Sequence, residues 1–295
     1  MHQGDLFDEL QMRKNQIARH IISLNFTAAQ NDIDNLLKTY PLADLGDEDK
    51  VCKFFMERLT APDIINIVSA WMDFTETFKG NIIAANKDLK KNYFSSLCKS
   101  QQIDDDYILN IPVGLFYIYA GDLKGARARL EKGIIKNPDD AKLRGYLGDL
   151  HFLRGDVKNS RICYREAFET NPNDVDVDSI SDSAVIGLLN HIKKDVPGYL
   201  EWVVSYGCIE SIFPYKTIKI LDDLRIYVND FIKMEKDYRK GTDEALIPKL
   251  FYKCIVLAES SQYLKNIRSV DFIKIRALMK EINPYLFEIY MEGKK

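Results

Sequence analysis

Cysteine is scarce in this chain, and no two cysteines lie close together. Among 295 residues there are five, and none belongs to a CxxC pair. Their odd number and wide spacing exclude the disulfide framework of a small secreted domain. We therefore expect five reduced thiols that serve as small core residues: Cys52, Cys98, Cys163, Cys208 and Cys254.

Long apolar runs are absent as well. The most membrane-like stretch, YILNIPVGLFYIYAG at residues 107–121, is shorter than the ~20 residues of a spanning helix and contains Pro and Gly. The opening residues MHQGDLFDEL are acidic where a signal peptide needs a basic and then an apolar region. We expect a protein of a bacterial-type cytoplasm with no contact to a membrane.

Motifs of catalysis are equally scarce. The sequence has no GxxxxGK phosphate loop, no GxGxxG and no GxSxG, and its four histidines have no second ligand at metal spacing. The formal net charge of −3 gives no global electrostatic case for nucleic acid, and the lysines of KDLKKNYFSSLCK (87–99) suit the solvent face of an amphipathic helix. We predict no catalytic residue, no metal, no cofactor and no nucleic-acid partner.

One acidic stretch leaves two interpretations open. Asp174, Asp176 and Asp178 have the spacing of the first half of a calcium loop, but Ser179 and Val185 stand where such a loop needs Gly and Glu. The same carboxylates suit helix caps and a solvated linker, which is the interpretation that we favour. A polar hinge is therefore expected over VDVDSISDS, residues 175–183.

What the sequence does have is an internal repeat. GDLKGARARLEKGIIKNPDDA begins at Gly121 and GDVKNSRICYREAFETNPNDV begins at Gly155, an offset of 34 residues (155 − 121). In the second copy we expect Gly155 to end one helix, Asp156 to cap the next, and Pro172 to follow its end. Each copy therefore predicts an antiparallel helix pair, in which the mid-helix Gly148 lets the two helices approach closely.

This pattern resembles the tetratricopeptide repeat. In the second copy, the family's characteristic positions are occupied by Leu147, Gly148, Gly155, Asp156, Ser160, Tyr164, Ala167 and Pro172. In the first copy they are occupied by Val113, Gly114, Gly121, Asp122, Ala126, Leu130, Gly133 and Pro138. Asn110 and Arg144 depart from the pattern, since the family has an aromatic residue there. Pro112 delays the first helix, and Asn110 is its expected cap.

The resemblance predicts two tetratricopeptide repeats, at 107–140 and 141–174. Two such units rarely bury enough surface alone, so we expect helices on both sides of them. Residues 1–103 form the predicted N-terminal helical region, with a degenerate repeat and three further helices, and residues 180–295 form a C-terminal one. The predicted fold is all-α, a helix-pair array of the α-solenoid type with additional helical regions at both ends.

The resemblance also implies a protein–protein interaction scaffold, which holds a protein or peptide partner in the groove of its stacked helix pairs. The predicted groove is taken from the family's groove positions, and Tyr146 is added as a neighbour of them. It contains Leu115, Ile118, Tyr119, Lys142, Tyr146, Asp149, Phe152 and Leu153. Large exposed apolar patches are rare in monomers. We therefore favour the interpretation that N-terminal helices cover the first-repeat part of the groove and that the second-repeat part is accessible. The alternative for the groove is that it is open to a helix or an extended peptide. The alternatives for the function are a chaperone for a client protein and an enzyme accessory with a C-terminal site.

Overall fold

The computed structural model describes residues 3–60, 63–100, 103–241, 245–260 and 271–294. Within these ranges the chain forms fifteen α-helices, two single turns of 3-10 helix and one short β-hairpin. The all-α prediction is therefore confirmed, whereas the stacking of repeats into a solenoid stays a prediction. None of the helices in the described part of the chain combines the length and the apolar character that crossing a bilayer requires.

The chain divides into two compact units, Met1–Leu130 and Glu131–Lys295. The first contains α1 (Gln3–Ile22), α2 (Phe26–Thr39), α3 (Gly46–Arg58), α4 (Ile64–Thr77), α5 (Lys87–Ser100), β1 (Tyr107–Ile108), β2 (Ile111–Pro112) and α6 (Val113–Ala120). The division falls within α7 (Leu123–Lys136). The second contains α8 (Ala141–Leu153), α9 (Val157–Thr170), the 3-10 turns Pro172–Asp174 and Val177–Ser179, α10 (Ser183–Asp195), α11 (Tyr199–Ile209), α12 (Leu221–Arg239), α13 (Leu246–Glu259), α14 (Phe272–Ile282) and α15 (Pro284–Glu292).

An aromatic cluster forms the core of the first unit. Phe55 of α3 stacks on Phe26 of α2, with ring centroids 4.6 Å apart, and lies at the same distance from Phe74 of α4. Tyr93 of α5 continues the cluster to Trp71, at 4.8 Å. Because aromatic pairs at this spacing stabilise a core beyond the area that they bury, the cluster holds α2 to α5 together.

The start of α5 corrects one prediction. The stretch IIAANKDLKKNYFSSLC was predicted to be helical from Ile82, but the helix begins at Lys87. The side chain of Asn86 accepts hydrogen bonds from the backbone N–H groups of Asp88 (2.9 Å) and Leu89 (3.0 Å). An asparagine in this role satisfies the first free amides of a helix and so fixes where it starts.

The β-hairpin explains why α6 begins late. Leu109 and Asn110, between the two antiparallel strands, have positive φ angles of 49° and 62°, as a tight two-residue turn requires. The helix follows at Val113, so the predicted delay at Pro112 is confirmed. The predicted cap is wrong, because Asn110 forms the turn and the residue that precedes the helix is Pro112, which has no side-chain cap.

The helix pair α8–α9 has the predicted boundaries. Gly155 adopts a left-handed φ of 78° between the two helices. The Asp156 carboxylate accepts a 3.2 Å hydrogen bond from the N–H of Asn159, and Asp156 thereby caps the start of α9. The last residue of α9 is Thr170, directly before Asn171 and Pro172. The turn, cap and stop signals read from the repeat are therefore confirmed.

Two predicted helices of the second unit differ from the structure, and a third lies partly outside the described residues. The helix expected over 215–240 starts only at Leu221, since the N–H of Ile218 donates to Ser260 Oγ at 2.9 Å instead of to a helical carbonyl. The helix expected over 271–291 is interrupted by Asn283, which caps α15 through the N–H of Leu286. The helix expected over 243–264 is α13; residues 243–244 and 261–264 lie outside the described residues.

Candidate functional site

Three residues of the predicted groove lie on α6 in the first unit. Leu115 is buried, and Ile118 and Tyr119 are half-buried. Helix α5 packs on this surface, because the Phe94 ring lies 5.1 Å from the Tyr119 ring and Lys90 Nζ lies 3.3 Å from its centre. Burial lowers the pKa of Lys90 to about 8. This part of the predicted groove is largely occupied by the chain itself.

The other five predicted residues lie on α8 in the second unit. Leu153 is exposed, and Lys142 and Phe152 are half-buried. Only 3% of the surface of Tyr146 and 4% of that of Asp149 are exposed to solvent. The expected accessibility of this part of the groove is therefore wrong for Tyr146 and Asp149.

The segment that follows α9 covers these two residues. Tyr146 Oη donates a 2.6 Å hydrogen bond to Asp176 Oδ2, and the N–H of Ser181 donates a 2.7 Å hydrogen bond to Asp149 Oδ1. Ile180, between the two bonded residues, is buried in the core of the unit. The predicted polar hinge is thus a packed segment, and a partner would have to displace it to reach this face of α8.

Asp149 is a buried hydrogen-bond acceptor. Its Oδ1 also accepts a 2.6 Å hydrogen bond from Tyr164 Oη, which ties α8 to α9. Burial raises the pKa of Asp149 to about 6, and the nearby Asp176 charge adds to this, while the bonds from Tyr164 and Ser181 oppose it. These contacts give Asp149 a structural role in the unit.

The acidic stretch after α9 does not converge on one point. Asp174 accepts a 2.6 Å hydrogen bond from the Asn171 side chain, Asp176 is bonded to Tyr146, and Asp178 is exposed. Among the residues that the structure describes, no group of three His, Cys, Asp or Glu side chains is placed to hold a metal ion.

A two-part pocket lies on the second unit, beside α9. Its first part, which we call the charged mouth, has a volume of about 780 Å³ and is lined by Asp139, Arg144, Glu166, Glu169, Thr170, Asn171, Lys216 and Lys249. Arg144 donates a 3.1 Å hydrogen bond to Glu166 Oε2 and a 2.7 Å one to the Pro138 carbonyl. Lys216 forms a salt bridge with Glu169.

The second part, which we call the apolar recess, has a volume of about 150 Å³. Its apolar and aromatic wall comes from α9, its C-terminal flank, α11, α12 and α13, and consists of Phe168, Pro172, Val204, Tyr227, Met234, Pro248 and Tyr252. Glu169 and Lys249 line both the recess and the mouth. The two parts are therefore adjacent, with one acidic and one basic side chain where they meet.

The two charged residues at this junction, Glu169 and Lys249, differ in whether they form an ion pair. Glu169 is bonded to Lys216 and also accepts a 3.4 Å hydrogen bond from Tyr252 Oη. Lys249 is exposed and forms no ion pair within the described part of the chain. Burial, followed by the charge of Glu169, raises the pKa of Tyr227 and Tyr252 far above the ordinary value, so both phenols stay neutral. The recess thus offers apolar and aromatic side chains together with Glu201 and Lys253, and Lys249 lies where it meets the mouth.

Sequence reasoning missed this pocket. Lys216, Lys249 and Tyr252 are distant from α9 in the sequence and belong to no short motif. Only Arg144 gave a signal, because it replaces the aromatic residue that the repeat pattern has at this position. A charged residue at a packing position indicates that the surface there is not closed by a neighbouring helix.

No protein-family model matches this chain, and neither a curated protein nor a solved structure matches it. The resemblance to tetratricopeptide repeats therefore depends on the sequence pattern. The α8–α9 pair agrees with that pattern in its boundaries and in its close packing at Gly148.

Proposed function

We propose that this protein is an interaction scaffold that binds a protein or peptide partner and carries out no catalysis of its own. The observation that carries the proposal is the two-part pocket of the second unit, in which an apolar recess and a charged mouth share Glu169 and Lys249 in their lining. The resemblance to tetratricopeptide repeats supports the same function, because members of that family hold other proteins.

The size of the recess favours a peptide side chain over a whole small molecule. Its volume of about 150 Å³ is well below the ~300–1,000 Å³ that ligand pockets usually have. A recess of this size suits a single apolar side chain, and anchors of this kind carry much of the energy of protein interfaces. The wider mouth, about 780 Å³, leaves room for the polar residues on either side of the anchor.

The charges indicate which peptide fits. Arg144 and Lys216 are already paired with Glu166 and Glu169, whereas Lys249 has no such partner within the described residues. A carboxylate of the partner can therefore pair with Lys249 without breaking an existing salt bridge. We propose a partner segment with an apolar anchor next to an acidic residue. Phe152 and Leu153 of the predicted groove stay candidates for a further contact.

A capture experiment with matched lysine variants tests this function. Lys249→Glu reverses the charge where the recess meets the mouth, and Lys274→Glu makes the same change at an exposed lysine of α14 that does not line the pocket. The wild-type chain and the Lys274→Glu variant should recover the same protein from a lysate of the native host, and Lys249→Glu should lose it. Equal recovery by all three chains would remove the pocket as the binding site, and no specific recovery by any chain would contradict the scaffold.

A further inference from the structure

Two tyrosine rings and a carboxylate surround the ammonium group of Lys294 in the second unit. Lys294 Nζ lies 4.4 Å from the centre of the Tyr215 ring and 5.2 Å from that of Tyr290. It also forms a salt bridge with Glu259 Oε1, and Tyr290 Oη donates a 2.7 Å hydrogen bond to the same oxygen. We call Tyr215, Glu259 and Tyr290 the ammonium cage.

Three separate elements supply the cage. Glu259 is the last residue of α13, Tyr290 lies in the last turn of α15, and Tyr215 belongs to the connection between α11 and α12. The two rings are 6.4 Å apart and nearly perpendicular, at 78°. Tyr290 is a buried core residue, so the packing of the unit fixes its position. Lys294, by contrast, follows the end of α15 and adds only its side chain to the cage.

The chemistry of the cage suits an alkylammonium ion. The face of an aromatic ring attracts a cation, and combined rings are the known means by which proteins recognise methylated ammonium groups. Burial, followed by the charge of Glu259, raises the pKa of Tyr215 to about 12, so its ring is neutral in ordinary buffers. Glu259 then contributes a carboxylate that pairs with the cation, and only 17% of that side chain is exposed.

We propose that the ammonium cage is a binding site for the lysine side chain of a partner protein, and that Lys294 occupies it when no partner is bound. Lys294 retains 31% exposure of its side chain, so one side of the cage is open to an incoming group. The resident lysine competes as a tethered ligand, which lowers the apparent affinity of the cage for a free one. This site is separate from the pocket beside α9, and its function does not depend on that pocket.

The probe for this site is Nα-acetyl-lysine amide, and Nα-acetyl-norleucine amide is its uncharged control. In a Lys294→Ala variant, the lysine compound should shift the NMR signals of Tyr215 and Tyr290 in a saturable manner. The wild-type chain should need at least ten times more of the compound, and Lys280→Ala, a change at an exposed lysine of α14, should behave as the wild type. A folded Lys294→Ala variant that binds neither compound, or that binds both equally, would overturn the proposal.

A second readout uses the wild-type chain and does not depend on the folding of a variant. Nα-acetyl-Nε,Nε-dimethyllysine amide carries the cation and one N–H donor for Glu259, and its side chain forms no stable amide with the reagent. When it displaces Lys294, acylation of Lys294 by an amine-reactive reagent should become faster, while acylation of Lys280 stays unchanged. An unchanged rate at Lys294 with the compound at its solubility limit would show that the cage does not exchange its occupant.

Discussion

The ring of Tyr164 on α9 lies directly against the backbone of Gly148 on α8. A Cβ atom built on Gly148 would lie 2.9 Å from Cδ1 and from Cε1 of that ring. Leu130 and Gly114 show the same relationship 34 residues earlier, where an added Cβ would lie 2.5 Å from Leu130 Cγ. Both copies of the repeat therefore use a glycine to admit a large side chain from the second helix of the pair.

Replacing Gly148 with leucine should destabilise the second unit. Tyr164 is fully buried and cannot turn away from the new side chain, so the helices must separate. Overpacking of this kind usually costs ~1–3 kcal/mol of unfolding free energy, which urea denaturation followed by circular dichroism measures.

Gly187 provides a matched control for this measurement. It also lies inside a helix, α10, but apart from its two chain neighbours and the backbone of its own helix no atom lies within 4 Å of an added Cβ. Gly187→Ala should therefore raise the unfolding free energy by roughly 0.5–1 kcal/mol, because alanine loses less backbone entropy than glycine on folding. If Gly148→Leu were as stable as the wild type, the close approach of α8 and α9 would not be a packing requirement.

Asp149 should make stability depend on pH in a defined direction. Burial raises the pKa of Asp149 in the folded chain to about 6, above its ordinary value of 3.8, so the folded state binds this proton more tightly than the unfolded state. The resulting stabilisation is complete below pH 3.8 and is lost as the pH rises through about 6.

The variant Asp149→Asn isolates this effect, since asparagine stays neutral. The unfolding free energy of the variant minus that of the wild type should increase from pH 4 to pH 7, by roughly 3 kcal/mol at most. Urea denaturation at several pH values measures the difference. A difference that is constant or that decreases with pH would show that Asp149 is not protonated more readily in the folded chain.

The five thiols should react slowly in the folded chain. Burial is the main cause that raises the pKa of Cys98 to about 11, those of Cys52, Cys163 and Cys208 to about 12, and that of Cys254 further still. Thiolates are therefore rare at pH 8, and a disulfide reagent should modify all five cysteines rapidly only in denaturant. Cys98 should be the first to react in native buffer. One thiol that reacts as fast as free cysteine would reveal an activated site.

The part of the fold that the sequence predicts is the part that local chemistry determines. Gly155 and Asp156 act on the backbone within a few residues, so their roles are readable from the repeat alone. The burial of Asp149 depends on Ser181, which reaches α8 only after the chain has turned back. The pocket is still less predictable, because Glu169, Lys216 and Lys249 meet only through the packing of distant helices.

Site-specific photo-cross-linking in the native host tests the proposed scaffold most directly. A benzophenone amino acid placed at Asp139, an exposed residue that lines the charged mouth, leaves Lys249 intact, and the same group at Lys274 serves as the control. Irradiation should join one cellular protein to the chain from position 139 and not from position 274. Equal adducts from both positions, or none from position 139, would contradict a partner-binding function for this pocket.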